Sequence, residues 1–122
     1  MKFVLFKTLE NYEFNKLGWP IWFEPVENNP TIEYYYYLDN DFDDVDLFYD
    51  DEAIVEIAER CDSLISYGED DYFKVEKCKI QLGWIEERLL KPVAPRYKEM
   101  LEGLNDYCKR AIEYNTGVYI DL

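Results

Sequence analysis

The chain reads as an α+β fold, a small and mostly antiparallel sheet packed against about three helices. Three observations predict it. Short apolar or alternating runs fill the first third, apolar residues recur at three- and four-residue spacing through the middle, and a β-prone run closes the chain. With 122 residues, 48% of them hydrophobic, a single domain with a real core is expected, and the compositional signature of disorder is absent.

The elements follow in order. Lys2 to Lys7 (KFVLFK) is apolar on both faces and reads as a short buried strand. Trp19 to Glu24 (WPIWFE) is aromatic and extended. Pro20 cannot donate to a ladder, so it places this run at a sheet edge or a strand start. Asn28-Asn29-Pro30 marks a turn. From Thr31 to Leu38 the residues alternate. Ile32, Tyr34, Tyr36 and Leu38 share a face set toward the core; Glu33, Tyr35 and Tyr37 share the other, which is exposed unless a helix covers it.

Asp50 or Asp51 can cap a helix running to about Ser66, with Ile54, Ile57, Ala58, Cys61, Leu64 and Ile65 as its apolar stripe and Gly68 as its stop. A second helix is predicted to open at Asp70 or Asp71, with Val75, Cys78, Leu82, Ile85 and Leu89 facing inward. Cys78, Ile80, Leu82 and Trp84 also fit a strand period. Pro92 and Pro95 break the chain. A third helix then runs from about Pro95 to Tyr114, with Tyr97, Leu101, Leu104, Cys108, Ala111 and Ile112 inward. Asn115-Thr116-Gly117 ends it, and Val118 to Asp121 reads as the last strand.

Charge narrows the function. The chain holds 27 acids, 13 bases and no histidine, a net charge of −14. Solubility of a small domain needs only about 2–8, and the excess costs stability through self-repulsion. A binding role or a high-salt habitat would explain it. Residues 1–73 carry 19 acids against 4 bases (−15), and residues 74–122 carry 8 against 9 (+1), so the imbalance belongs to the first part. Direct nucleic-acid binding needs clustered Lys and Arg, and anionic membranes repel the same surface. No apolar stretch approaches a membrane span, and the start lacks the pattern of a secretory leader, so a cytoplasmic location is expected. Cys61, Cys78 and Cys108 are odd in number and lie on apolar faces, which suits reduced core thiols. Without histidine or a CxxC pair, neither a structural zinc site nor another cofactor is expected.

One segment stands out. From Asp39 to Glu59 there are ten acids and no base, threaded with Phe42, Phe48 and Tyr49 and preceded by Tyr34 to Tyr37. Carboxylates beside large rings suit a surface that receives Lys and Arg: the acid takes the charge-assisted bond and the ring takes the alkyl stem or guanidinium face. The candidate partner-binding residues are Tyr35, Tyr37, Asp39, Asp41, Asp43, Asp44, Asp46, Tyr49, Asp50, Asp51 and Glu52. The plainer alternative is a solvated acidic loop leading into a helix N-terminus. Asp39, Asp41, Asp43 and Asp50 also match the first, third, fifth and twelfth positions of an EF-hand loop. The sixth, which should be glycine, is Asp44, and the twelfth should be a bidentate Glu, so no metal site is assigned. Catalytic readings lack an imidazole base and a glycine-rich phosphate loop.

In size, in the block DNDFDDVDLFYDDE (Asp39 to Glu52) and in the neighbouring YYYY (Tyr34 to Tyr37), the chain resembles the immunity proteins of bacterial toxin–immunity pairs. The resemblance implies a small cytosolic, cofactor-free protein that neutralises a basic toxin domain, often a nuclease. Immunity proteins have many unrelated folds, so it assigns no residue by position. The alternative is a phage-type nucleic-acid mimic that occupies the groove of a restriction or CRISPR nuclease. Such mimics spread acid over the whole surface, whereas residues 74–122 are nearly neutral. A salt-adapted protein fits poorly with twelve Tyr, seven Phe and three Trp, because added solvation calls for no rings.

Overall fold

The computed structural model describes residues 1–21, 29–36, 53–63, 65 and 69–122, the side chains of Tyr35 and Tyr36 excepted. In chain order the elements are β1 (Lys2–Phe6), β2 (Glu13–Phe14), β3 (Pro20–Ile21), β4 (Ile32–Tyr36), α1 (Ala53–Arg60), β5 (Asp70–Lys74), α2 (Val75–Leu89), α3 (Pro95–Tyr114) and β6 (Gly117–Asp121). The α+β expectation holds: four strands form an antiparallel sheet in the order β4-β1-β6-β5, and the helices pack against it.

β1 sits between β4 and β6, which explains a strand that is apolar on both faces. Phe3 and Leu5 join Phe73, Val118 and Ile120 against the helices, in a core with Ile57, Ile85, Met100, Leu101 and Leu104. Val4 and Phe6 look the other way, into a smaller cluster with Ile32 and Tyr72. The hairpin β2–β3 supplies the cover there, with Leu9, Tyr12 and Trp19 packed on that cluster. Its turn is held by Asn15, whose Oδ1 accepts from the backbone N–H groups of Leu17 and Trp19, both at 2.9 Å. Gly18 takes the left-handed conformation (φ 79°) that the turn requires.

α3 begins with Pro95, whose fixed φ suits a first helical position. It ends at Asn115 in the left-handed region (φ 54°), with the Thr116 N–H bonded back to the Ala111 carbonyl at 2.9 Å. That turn feeds Gly117 into β6. A Cβ at Gly117 would lie 2.4 Å from the end of the Tyr72 ring and 2.6 Å from the Phe73 carbonyl oxygen, so only glycine fits.

Three expectations need correction. Residues Asp70–Lys74 form an edge strand paired with β6, and α2 opens only at Val75. Asp71 caps no helix: it is buried, and its carboxylate accepts from Ser63 Oγ at 2.5 Å and from the Tyr72 N–H at 2.8 Å. The buried face of α2 carries Cys78, Gln81, Trp84 and Ile85, with Leu82 and Leu89 at its margin. Inside, Gln81 Oε1 accepts from Trp84 Nε1 at 2.6 Å, which satisfies one end of its amide, while Nε2 has no partner among the described residues. α1 stops at Arg60, short of Ser66, because Asp62 turns left-handed (φ 49°) and the Ser63 N–H bonds to the Ala58 carbonyl. On β4 the expected core face is found in Ile32 and Tyr34, and the Glu33 side chain, on the other face, is half-exposed with a helix beside it. Glu33 lies opposite Leu5, on the side covered by helices, while Ile32 and Tyr34 pack under the hairpin. Each face of β1 is thus buried, one under the helices and one under the hairpin.

Candidate partner-binding surface

Of the predicted binding residues, Tyr35 is placed by its backbone, opposite Phe3 in the β4–β1 ladder. Tyr37, Asp39, Asp41, Asp43, Asp44, Asp46, Tyr49, Asp50, Asp51 and Glu52 lie outside the described residues. The tail of the acidic block falls on α1. There Glu56 pairs with Arg60 Nε at 2.5 Å, and Arg60 reaches Glu87 on α2 at 3.2 Å, while Glu59 stays exposed.

The strand leading to the tyrosine run is anchored from the helix side. Arg110 on α3 donates to both carboxylate oxygens of Glu33, at 3.2 Å for the Nη1–Oε1 bond, and Lys7 Nζ approaches at 3.6 Å. The Arg110 hydrogen bond holds the Glu33 carboxyl below its ordinary range, against the opposing effect of partial burial. The same bond holds the guanidinium proton more tightly than usual.

An acidic cleft that the sequence reading missed opens beside β5. It measures about 530 Å³ and is lined by Leu17 and Trp19 from the hairpin, Asp62 from the turn after α1, Glu69, Asp70 and Asp71 at β5, and Lys77 on α2. Asp62, Glu69 and Asp70 are exposed, and among the described residues none of them has an ion-pair partner. Asp70 is oriented by the Tyr119 hydroxyl, which donates to its Oδ2. Asp71 is oriented by Ser63 and by the Tyr72 amide. Leu17 is 67% exposed at the rim. The Glu69-Asp70-Asp71 run was visible in the sequence. Its meeting with Trp19 and Asp62 depends on β5 being a strand.

This arrangement offers carboxylates and a ring to an incoming cation. Other chemistry is scarce among the described residues. No group of three potential ligands is placed to hold a metal ion, and no helix is long and apolar enough to cross a membrane. The three thiols are buried and free, as expected of core cysteines. Burial pushes the Cys61 thiol up to about 11, and a hydrogen bond with Cys78, together with burial, pushes Cys108 well above its ordinary value. Compared with known proteins, the chain matches no family model, no curated protein and no solved structure.

Proposed function

We propose that this protein is a cytoplasmic immunity protein, the inhibitor of a toxin–antitoxin pair. It binds and neutralises a basic toxin domain, in the leading case a nuclease, through an acidic and aromatic surface. The observation that carries the reading is the convergence of Asp62, Glu69 and Asp70 on Trp19 and Leu17: carboxylates with no ion-pair partner among the described residues, beside a half-buried ring and an exposed leucine. All five belong to residues 1–73, which hold 19 of the 27 acids. A Lys or Arg entering the cleft meets both a charge-assisted acceptor and a ring face.

A standard interface takes about 800 Å² from each partner, more than one cleft supplies. The block Asp39 to Glu52 and Tyr35 and Tyr37 complete the surface in this reading. Action is stoichiometric and needs no cofactor. Opposed charge speeds association toward 10⁸–10⁹ M⁻¹s⁻¹ at about zero added salt, which suits an inhibitor that must act before damage accumulates.

The test is co-expression with capture, followed by binding kinetics on the identified partner. A basic protein should be retained at about 50 mM salt and released at about 500 mM. The triple variant Asp62→Asn, Glu69→Gln, Asp70→Asn should associate more slowly with little change in dissociation. An acidic partner, or binding indifferent to both salt and the triple variant, would sink the proposal.

A further inference from the structure

A second cleft, of about 420 Å³, opens where β5 runs into α2, between the hairpin and the α3–β6 turn. Its volume lies within the roughly 300–1,000 Å³ typical of small-ligand sites. Unlike the acidic cleft, its lining holds one cation, Lys74, and one carboxylate, Glu76, among apolar and neutral residues. Leu9, Phe14 and Val75 supply the apolar wall, and Phe14 is 46% exposed. Lys74 borders the cleft with its ammonium close over Gly18, and among the described residues it has no ion-pair partner.

Two further observations converge there. α2 has fifteen residues and opens without a side-chain cap: Lys74 stands at the N-cap with extended backbone, and no side chain bonds to the first turn. The amides opening the helix therefore keep their donor capacity, at the positive end of the dipole. Glu76 does not cancel this, because its carboxylate is 84% exposed and drawn to Lys79 at 3.5 Å. Beneath lies Tyr72, 3% exposed, whose hydroxyl has no hydrogen-bond partner among the described residues. Its ring end rests against Gly117, next to Thr116 in the cleft lining. Burial pushes the phenol far above its ordinary value, so the hydroxyl remains a neutral donor.

We propose that this cleft binds a small carboxylate with an apolar body. The carboxylate is taken by the amides opening α2, the Lys74 ammonium and the Tyr72 hydroxyl, and the body lies against Leu9 and Phe14. The site is independent of the acidic surface and calls for the opposite charge.

The experiment titrates the whole protein with 3-phenylpropionate, followed by amide NMR shifts at Val75, Glu76 and Lys77. Its neutral amide and the matching phenylpropylamine serve as comparison probes. The acid should saturate with a Kd of about 1 mM, and the amide and the amine should bind at least about tenfold more weakly. Tyr72→Phe, which removes only an unpartnered hydroxyl and keeps the spectrum of a folded chain, should weaken the acid about five- to tenfold, and Lys74→Met by a similar factor. No saturating shifts, equal binding of acid and amine, or unchanged affinity in both variants would overturn the proposal.

Discussion

Arg110 grips Glu33 across 77 positions of sequence, tying the middle of α3 to the edge strand β4 at the foot of the tyrosine run. Both side chains keep about a third of their surface in water (28% and 35%), so screening limits the value of the pair. Its two-pronged geometry places it at the upper end for exposed pairs, and Glu33→Gln should cost about 0.5–1 kcal/mol. The pH dependence has a definite sign. The folded carboxyl titrates below its unfolded value, so its contribution is present above about pH 4.3 and fades as pH falls through the lower folded value. Urea unfolding of both proteins should give a constant gap at neutral pH that closes in acid. A gap that widened in acid would mean the pair is not what stabilises β4.

Gly117→Ala tests the close approach of β5 and β6. The new methyl would meet the Tyr72 ring end at 2.4 Å and the Phe73 carbonyl oxygen at 2.6 Å. A ring can swing, but a ladder carbonyl cannot, so the substitution should cost at least about 1–3 kcal/mol. Adding Tyr72→Leu should recover only part of the loss, because the carbonyl contact remains. Full recovery in the double variant would show that the ring alone excludes a side chain there.

What the sequence made legible follows how local each signal was. β1 and α3 could be read because their apolar patterns are long and two-sided or strictly periodic, and Pro95 and Asn115 mark the ends of α3 with ordinary cap chemistry. Asp70–Lys74 misled because two aspartates before an apolar run look like a helix cap. Their actual partners, Ser63 and the neighbouring strand β6, are tertiary. Gln81 was passed over for Leu82 because nothing local says that Trp84 will be inside and need an acceptor. The acidic cleft joins Trp19, Asp62 and Asp70 from three separate elements, so no window of sequence contains it. The partner of Glu33 was illegible for the same reason: Arg110, which satisfies it, lies on another element.

The thiols make a simple check on the core between the helices. Cys61, Cys78 and Cys108 are all buried, and the shifts on Cys61 and Cys108 keep those two protonated near neutral pH. A thiol-reactive disulfide reagent at pH 8 should label the native protein only at the rate of unfolding, and should label all three cysteines at once in denaturant. Rapid labelling of one native cysteine would mean that the packing of α1 and α2 opens locally.

The acidic cleft can be tested without knowing its partner, through what its charges cost the free protein. Asp62, Glu69 and Asp70 crowd one rim of a chain already at −14, with no cation paired to them among the described residues. Their neutral isosteres keep the needed geometry. Asparagine tolerates the left-handed backbone at Asp62, and at Asp70 it still accepts from the Tyr119 hydroxyl. The triple variant Asp62→Asn, Glu69→Gln, Asp70→Asn should therefore be more stable than the natural chain, by about 0.2–1 kcal/mol at low salt, with the gain shrinking as salt screens the repulsion. Urea denaturation at two ionic strengths measures this, whereas guanidinium would mask it by acting as salt. A loss of stability would make the three carboxylates structural, and the case for a surface kept acidic for a cationic partner would fall with it.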